Sequence, residues 1–157
     1  MSANDRQVGG SHYKTKYEHW DFVTNIGMSY LGAQVCKYLK RWRDKNGRED
    51  VEKAGHFLDK MIELVPILIQ QRPNVPIDYI NGELNSYLHA NGIKGEEAAV
   101  TSILATWSSK GHLQMAKCYI ETLAMKIPQG HATINLGGGG GYASRPDSDE
   151  SVHGNRS

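Results

Sequence analysis

Cysteine is scarce in this chain. Cys36 and Cys118 stand far apart and outside any Cys-x-x-Cys pair, so neither a disulfide framework nor a zinc ribbon is implied. Long apolar runs are missing too. The longest, Val65 to Ile69, contains Pro66 and falls far short of the roughly 18 residues of a membrane span. The first ten residues are polar, without the apolar stretch of a secretory signal. Net charge is almost absent: Lys+Arg 18 against Asp+Glu 17 leaves +1. That excludes a general coat for polyanions, so any basic site must be a local patch. Alternating strand patterns are absent as well. These absences lead to the expectation of a cytoplasmic protein with free thiols.

What is present is enough for one domain and a tail: 157 residues, 39% hydrophobic and 22% charged. Composition breaks near residue 129. Gly137 to Gly141 form an unbroken run, followed mainly by small and polar residues. Such a segment cannot bury enough surface to offset its chain entropy, so residues 129–157 are expected to be a disordered tail. The glycine run lacks a following Lys-Ser/Thr and a helix, and reads as a linker rather than a phosphate loop. Residues 1–17 read as an N-terminal arm and 18–128 as a helical domain.

Within that domain the spacing is helical. A first helix fits Glu18 to Met28 and a second Tyr30 to Arg43, with Leu31, Val35, Tyr38, Leu39 and Trp42 on its core face. Gly47 suits a left-handed turn. A third helix opens at Arg48-Glu49-Asp50, where acidic groups favour the positive helix end, and buries Val51, Ala54, Leu58, Met61 and Val65. Pro66 should kink or end it, and residues 72–76 connect onward. Three further helices fit 78–90, 95–108 and 112–126. The expected fold is an all-α helical bundle.

The bundle carries an internal echo. Ala54-x-x-Phe57-Leu58-Asp59-x-Met61 is matched by Ala116-x-x-Tyr119-Ile120-Glu121-x-Leu123, and each follows a Trp and a Gly. The pattern suggests two degenerate copies of one helical hairpin. Thr106, Ser108 and Ser109 then stand where the first copy has Arg41, Arg43 and Asp44, which makes the second copy scaffold.

The chemistry-bearing residues cluster in the first half. Lys37, Lys40, Arg41, Arg43, Lys45 and Arg48 face a single acid, Asp44, within one short stretch. Lys37 and Arg41 are four apart on one helical face, with Gln34 and Lys40 flanking them. Like charges at that spacing repel, so an acidic partner helix or a bound anion should compensate. Ahead of the helices, Gly9-Gly10-Ser11-His12-Tyr13-Lys14 combines backbone donors with side-chain donors and a ring able to stack on a base. On the third helix, Glu49-x-x-Glu52 could hold Mg2+ as in helical nucleotide pyrophosphohydrolases, although no second acidic pair follows. His56-x-x-Asp59 is too few ligands for a transition-metal site. There is no Walker A sequence, Rossmann fingerprint or serine nucleophile motif. A nucleic-acid partner is not expected.

Ser11-His12-Tyr13, then Lys37-Tyr38-x-x-Arg41-x-x-x-Lys45-x-Gly47, then Glu49-Asp50-Val51-x-Lys53-Ala54-x-x-Phe57-Leu58, resemble in order and spacing the SaV-like family, small helical proteins of phage and prophage genomes. The likeness spans about residues 9–65, so 18–70 is the family-like part and 77–128 adds helices. Ala33-Gln34 and His56 depart from the family pattern. One branch of that family is the podovirus-type phage nucleotide kinase, which phosphorylates deoxynucleoside monophosphates without a P-loop.

The resemblance implies a nucleotide ligand, ATP as phosphate donor, Mg2+ as an optional cofactor and an infected-cell cytoplasm. It implies a nucleotide site of His12, Tyr13, Lys37, Arg41, Lys45, Asp50 and Lys53, to which the basic stripe and the N-terminal loop add Ser11, Lys14, Gln34 and Tyr38 as candidate nucleotide contacts. Catalytic roles would fall to Asp50, Arg41 and His12: Arg41 neutralising charge, Asp50 orienting or deprotonating the attacking phosphate, His12 assisting transfer. A binder that sequesters nucleotides or nucleotide signals of host defence is the non-enzymatic alternative. Homo-oligomerisation is expected, since amphipathic helices of this size often complete their core between subunits.

Overall fold

A computed structural model describes residues 2–6, 8 and 16–129. The arm segment Gly9 to Lys14 and residues 130–157 lie outside the described residues, and with them the expected tail and the glycine run. After a short 3-10 turn at Ala3–Asp5, the helices are α1 (His19–Asn25), α2 (Tyr30–Arg41), α3 (Arg48–Glu63), α4 (Val65–Leu68), α5 (Ile77–Asn91), α6 (Gly95–Thr106) and α7 (Lys110–Lys126). No strand occurs among the described residues. The fold is all-α, and none of these helices is long and apolar enough to cross a membrane.

The ends of the helices follow local chemistry. Ser29 caps α2 by accepting from the Gly32 N–H, and Ser109 caps α7 by accepting from that of His112. The Ser109 cap is why α7 starts two residues before the expected 112. The helix expected to reach Arg43 stops at Arg41 and tightens into a 3-10 turn over Trp42–Asp44. Gly47, at φ 54° and ψ −128°, reverses the chain into α3, a backbone state that side chains with a Cβ rarely adopt. Pro66 sits in the first turn of α4, where its missing N–H costs nothing.

Two hairpins, α2–α3 and α6–α7, make the main core. α3 lies against α7 and α2 against α6, so like helices meet. The two hairpins bury matching apolar positions. α2 and α6 are both 12 residues long and each ends on a tryptophan, Trp42 or Trp107. Gly32, Val35, Cys36 and Leu39 are buried on α2, and Glu97, Val100, Thr101 and Leu104 at the same ordinal positions of α6. On α3 the series Val51, Ala54, Leu58, Met61 is matched on α7 by Leu113, Ala116, Ile120, Leu123. Each fully buried Leu of this set contributes about 1.5–3 kcal/mol.

One expectation about the core shifts. Leu31, Tyr38 and Trp42 are half-buried rim residues, while Gly32 and Cys36 are buried. The reason is that α2 has neighbours on two sides, not one. A second cluster joins α1 and α5 to the bundle: Phe22 stacks on Tyr87 at 4.1 Å between ring centroids, with Ile26, Ile80, Leu84 and Ala105 around them.

Candidate functional site

The tight turn at Gly47 returns α3 alongside α2 and sets Asp50 opposite Arg41. The carboxylate of Asp50 has no solvent exposure. It accepts from Arg41 Nε and Nη2, both at 3.0 Å, and from the backbone N–H and side-chain amide of Asn46 at 3.4 and 3.3 Å. Burial pushes its pKa up. The hydrogen bonds and charge of Arg41, with those from Asn46, outweigh burial and hold the carboxyl below its usual value. Its oxygens point into the hairpin, and what it does is fix Arg41.

Arg41 is fixed a second way. Its guanidinium carbon lies 4.5 Å from the centroid of the Tyr38 ring. Tyr38 stacks on Phe57 of α3 at 5.7 Å and 18°, and Lys53 Nζ approaches the same ring at 5.9 Å. Lys53 also pairs with Glu49 at 2.5 Å, a hydrogen bond that raises its pKa. The result is a layered surface of cation, ring and ring along the α2–α3 seam, with 29% of the Arg41 side chain reaching solvent.

The remaining candidates divide between two sides of α2. Lys37 is exposed and makes no ion pair among the described residues. Gln34 and Lys45 are half-buried, Lys45 closing the 3-10 turn. Lys40 turns toward α5, 5.7 Å above the Tyr87 ring, and burial lowers its pKa. Arg43 stacks on Trp42 at 4.3 Å, and both donate to Glu97, Trp42 Nε1 at 2.9 Å. Ser11, His12, Tyr13 and Lys14 lie outside the described residues.

The acidic pair of α3 is engaged along its own helix: Glu49 with Lys53, Glu52 with Arg48 at 2.9 Å. Asp59 pairs with Lys117 of α7 at 2.6 Å. No group of three or more His, Cys, Asp or Glu among the described residues is arranged to hold a metal ion.

Sequence reasoning passed over Asn46, Phe57 and Glu97. An Asn just before a glycine turn is the signal for the first. Phe57 stands in the internal echo and in the family-like motif, but as an aromatic at helical spacing it reads as core and was given no site role. Glu97 is 3% exposed and binds residues 55 and 54 positions earlier, a pairing that no local pattern announces. Taken together, fold and site define a bundle of two matched helical hairpins in which the cationic surface belongs to the first. No family model matches the chain, and neither a curated protein nor a solved structure matches it.

Proposed function

We propose that the chain binds a phosphorylated nucleotide on the outer face of the α2–α3 hairpin. The observation that carries this reading is Arg41, held by a buried carboxylate on one side and stacked on Tyr38. An arginine so fixed loses little further entropy on meeting a phosphate; its Nε–Nη2 edge is given to Asp50, so a phosphate would meet the rest of the guanidinium and its permanent charge. Lys37 and Lys45 extend the positive charge, and Gln34 adds an amide; Ser11, His12, Tyr13 and Lys14 are the further contacts expected from the sequence. The motif resemblance to the SaV-like phage proteins supports the same ligand class, and the amphipathic helices are the ground for a second copy of the chain as partner.

Transfer of a phosphoryl group from ATP to a deoxynucleoside monophosphate is the enzymatic form of this reading. The burial of Asp50 favours the non-enzymatic form, in which the protein sequesters its nucleotide, because that carboxylate is not placed to accept a proton. A Mg2+-dependent pyrophosphohydrolase would instead draw on Glu49 and Glu52.

Thermal melts with nucleoside mono-, di- and triphosphates and cyclic dinucleotides, with and without Mg2+, test the proposal. A ligand at about 100 times its Kd adds roughly 2.7 kcal/mol to stability. Stabilisation lost in Arg41→Ala, with the ligand recovered unchanged, supports sequestration; ATP-dependent diphosphate formation supports transfer. No stabilisation by any nucleotide rejects the proposal.

A further inference from the structure

Arg48 opens α3 and makes two contacts at once. It pairs with Glu52, and its Nη1 donates to the Ile127 carbonyl at 3.2 Å. Ile127 follows α7, so the chain leaves the bundle beside the Gly47 turn. Asp50, which holds Arg41, lies two residues further along α3, and Lys45 lies two residues before the turn glycine. The exit is therefore at the end of the α2–α3 hairpin where Arg41 and Lys45 stand, away from the opposite end of α3 at Lys60 and Glu63.

The sequence beyond that exit holds a motif that the nucleotide reading does not use. After the glycine run comes Arg145-Pro146-Asp147-Ser148-Asp149-Glu150. Three acids fall within four residues; the arginines of residues 130–157 are Arg145 and Arg156, and no lysine occurs there. The hairpin has the opposite imbalance. Residues 37–53 hold seven Lys and Arg against four acids, Asp44, Glu49, Asp50 and Glu52, an excess of three. Of these acids, Asp50 is committed to Arg41, Glu49 to Lys53 and Glu52 to Arg48. Among the cations, Arg43 is taken by Glu97 and Lys40 turns toward α5. The outer face keeps Lys37, exposed and in no ion pair among the described residues, the exposed part of Arg41, and Lys45 beside Asp44.

We propose that Asp147, Asp149 and Glu150 dock on the Lys37–Arg41–Lys45 face of their own chain. Charge and tether length select this occupant. From Gln129 to Asp147 the chain advances 18 residues, and a glycine-rich chain of that length has an r.m.s. reach of about 21–25 Å. Lys37 is four residues from Arg41, about 6 Å along α2, so the whole face is within reach of the exit beside Arg48. A tether of this length holds its acids at an effective concentration on the order of millimolar, which the same acids on a separate molecule do not have in dilute solution. Resting on the nucleotide reading of this face, the docked carboxylates compete with phosphate for the same cations. The glycine run thereby gains a role as the link between the bundle and an internal competitor.

The full chain and a variant combining Asp147→Asn, Asp149→Asn and Glu150→Gln provide the test. Without nucleotide, the proton–nitrogen correlation spectra of the two should differ at the amides around Lys37, Arg41 and Lys45. Salt at about 0.5 M should move the wild-type signals toward those of the variant, because it screens the attraction. A zero-length carbodiimide should link Lys37 or Lys45 to the 147–150 peptide within the monomer fraction. With ATP or deoxynucleoside monophosphates as ligands, the variant should bind about 2- to 10-fold more tightly, as for a face covered roughly half to nine-tenths of the time. Failure of both proteins to bind any nucleotide, with the spectral difference in place, rejects the nucleotide reading and supports the docking. Identical α2–α3 amides, cross-links found only between chains, or a nucleotide that binds both proteins equally overturns it.

Discussion

Arg41 closes α2 and Asp50 lies in the first turn of α3, and their two 3.0 Å hydrogen bonds join partners of unequal exposure: 29% for Arg41, none for Asp50. Removing either side chain therefore has different consequences. Arg41→Ala leaves a buried carboxylate without its counter-ion, a defect of about 3–5 kcal/mol. Asp50→Asn leaves a guanidinium that water can reach, and costs less. Urea unfolding of both variants checks the order, and equal losses would contradict the account of Asp50 as the desolvated partner.

The same pair sets an acid limit on stability. The carboxyl of Asp50 is held below its usual value, so the folded state favours the ionised form. Its contribution is present above the unfolded pKa of about 3.9 and is lost as pH falls through the folded value. Asp50→Asn should lack this low-pH component. Denaturant midpoints between about pH 2 and 5, compared for the two proteins, give the test.

His19 produces a separate step at higher pH. Burial, and then the charge of Lys40, lower its pKa to about 4, against a partial rise from the Ala33 carbonyl. Its Nδ1 lies 3.1 Å from the Tyr87 hydroxyl, an arrangement in which neutral His19 accepts from Tyr87 and gives its other N–H to Ala33. In the unfolded chain the ring takes up a proton near pH 6.5; the folded chain resists until about pH 4. Stability should therefore fall as pH drops from about 6.5 to 4, by roughly 2–3 kcal/mol at most. His19→Gln should flatten that slope, and NMR titration of the wild-type ring should report the low pKa directly.

Two glycines make opposite predictions under the same substitution. At Gly27, φ is +65° and a Cβ would collide with the Pro73 ring, so Gly27→Ala should cost about 1–3 kcal/mol through strain and overpacking. At Gly55, buried within α3, a Cβ would meet Ile120 Cγ2 at 3.5 Å and Lys117 Nζ at 3.6 Å, ordinary contacts. Gly55→Ala should then gain about 0.5–1 kcal/mol from helix propensity. Thermal melts of the pair decide whether the α3–α7 seam has the room that its geometry implies.

How much of this was readable beforehand depended on range. Helical periodicity, Pro66 and Gly47 act within a turn or two, and they located every long helix. The Ala54 and Ala116 echo was readable because core positions repeat at fixed distances from each helix start. That an acid opening α3 pairs with the basic stripe of α2 was readable, since an antiparallel hairpin brings the two together. The complete burial of Asp50 was not, since an acidic residue in a first helical turn is ordinarily a solvated partner of the helix dipole. Only the return of α3 against Arg41 makes it a buried anchor. The Phe22–Tyr87 stack and the Glu97 contacts with Trp42 and Arg43 join residues far apart in the chain, and nothing local marks either.

The proposed nucleotide face makes its sharpest prediction at Lys37. This side chain is exposed and in no ion pair among the described residues, so Lys37→Ala should leave the melting temperature within about 1 °C, as for an ordinary surface change. If phosphate sits between Lys37 and Arg41, the substitution removes a charge-assisted contact and should weaken nucleotide affinity by roughly 5- to 20-fold. The wild-type affinity should also fall more steeply with salt than that of the variant, since one fewer cation takes part. Lys60→Ala supplies the contrast. Lys60 also lies exposed, but it pairs with Glu63 at 2.6 Å toward the far end of α3, and its loss should leave affinity unchanged. Equal effects of the two substitutions on binding would mean that the attraction is general surface charge, and the α2 face would lose its claim as a site.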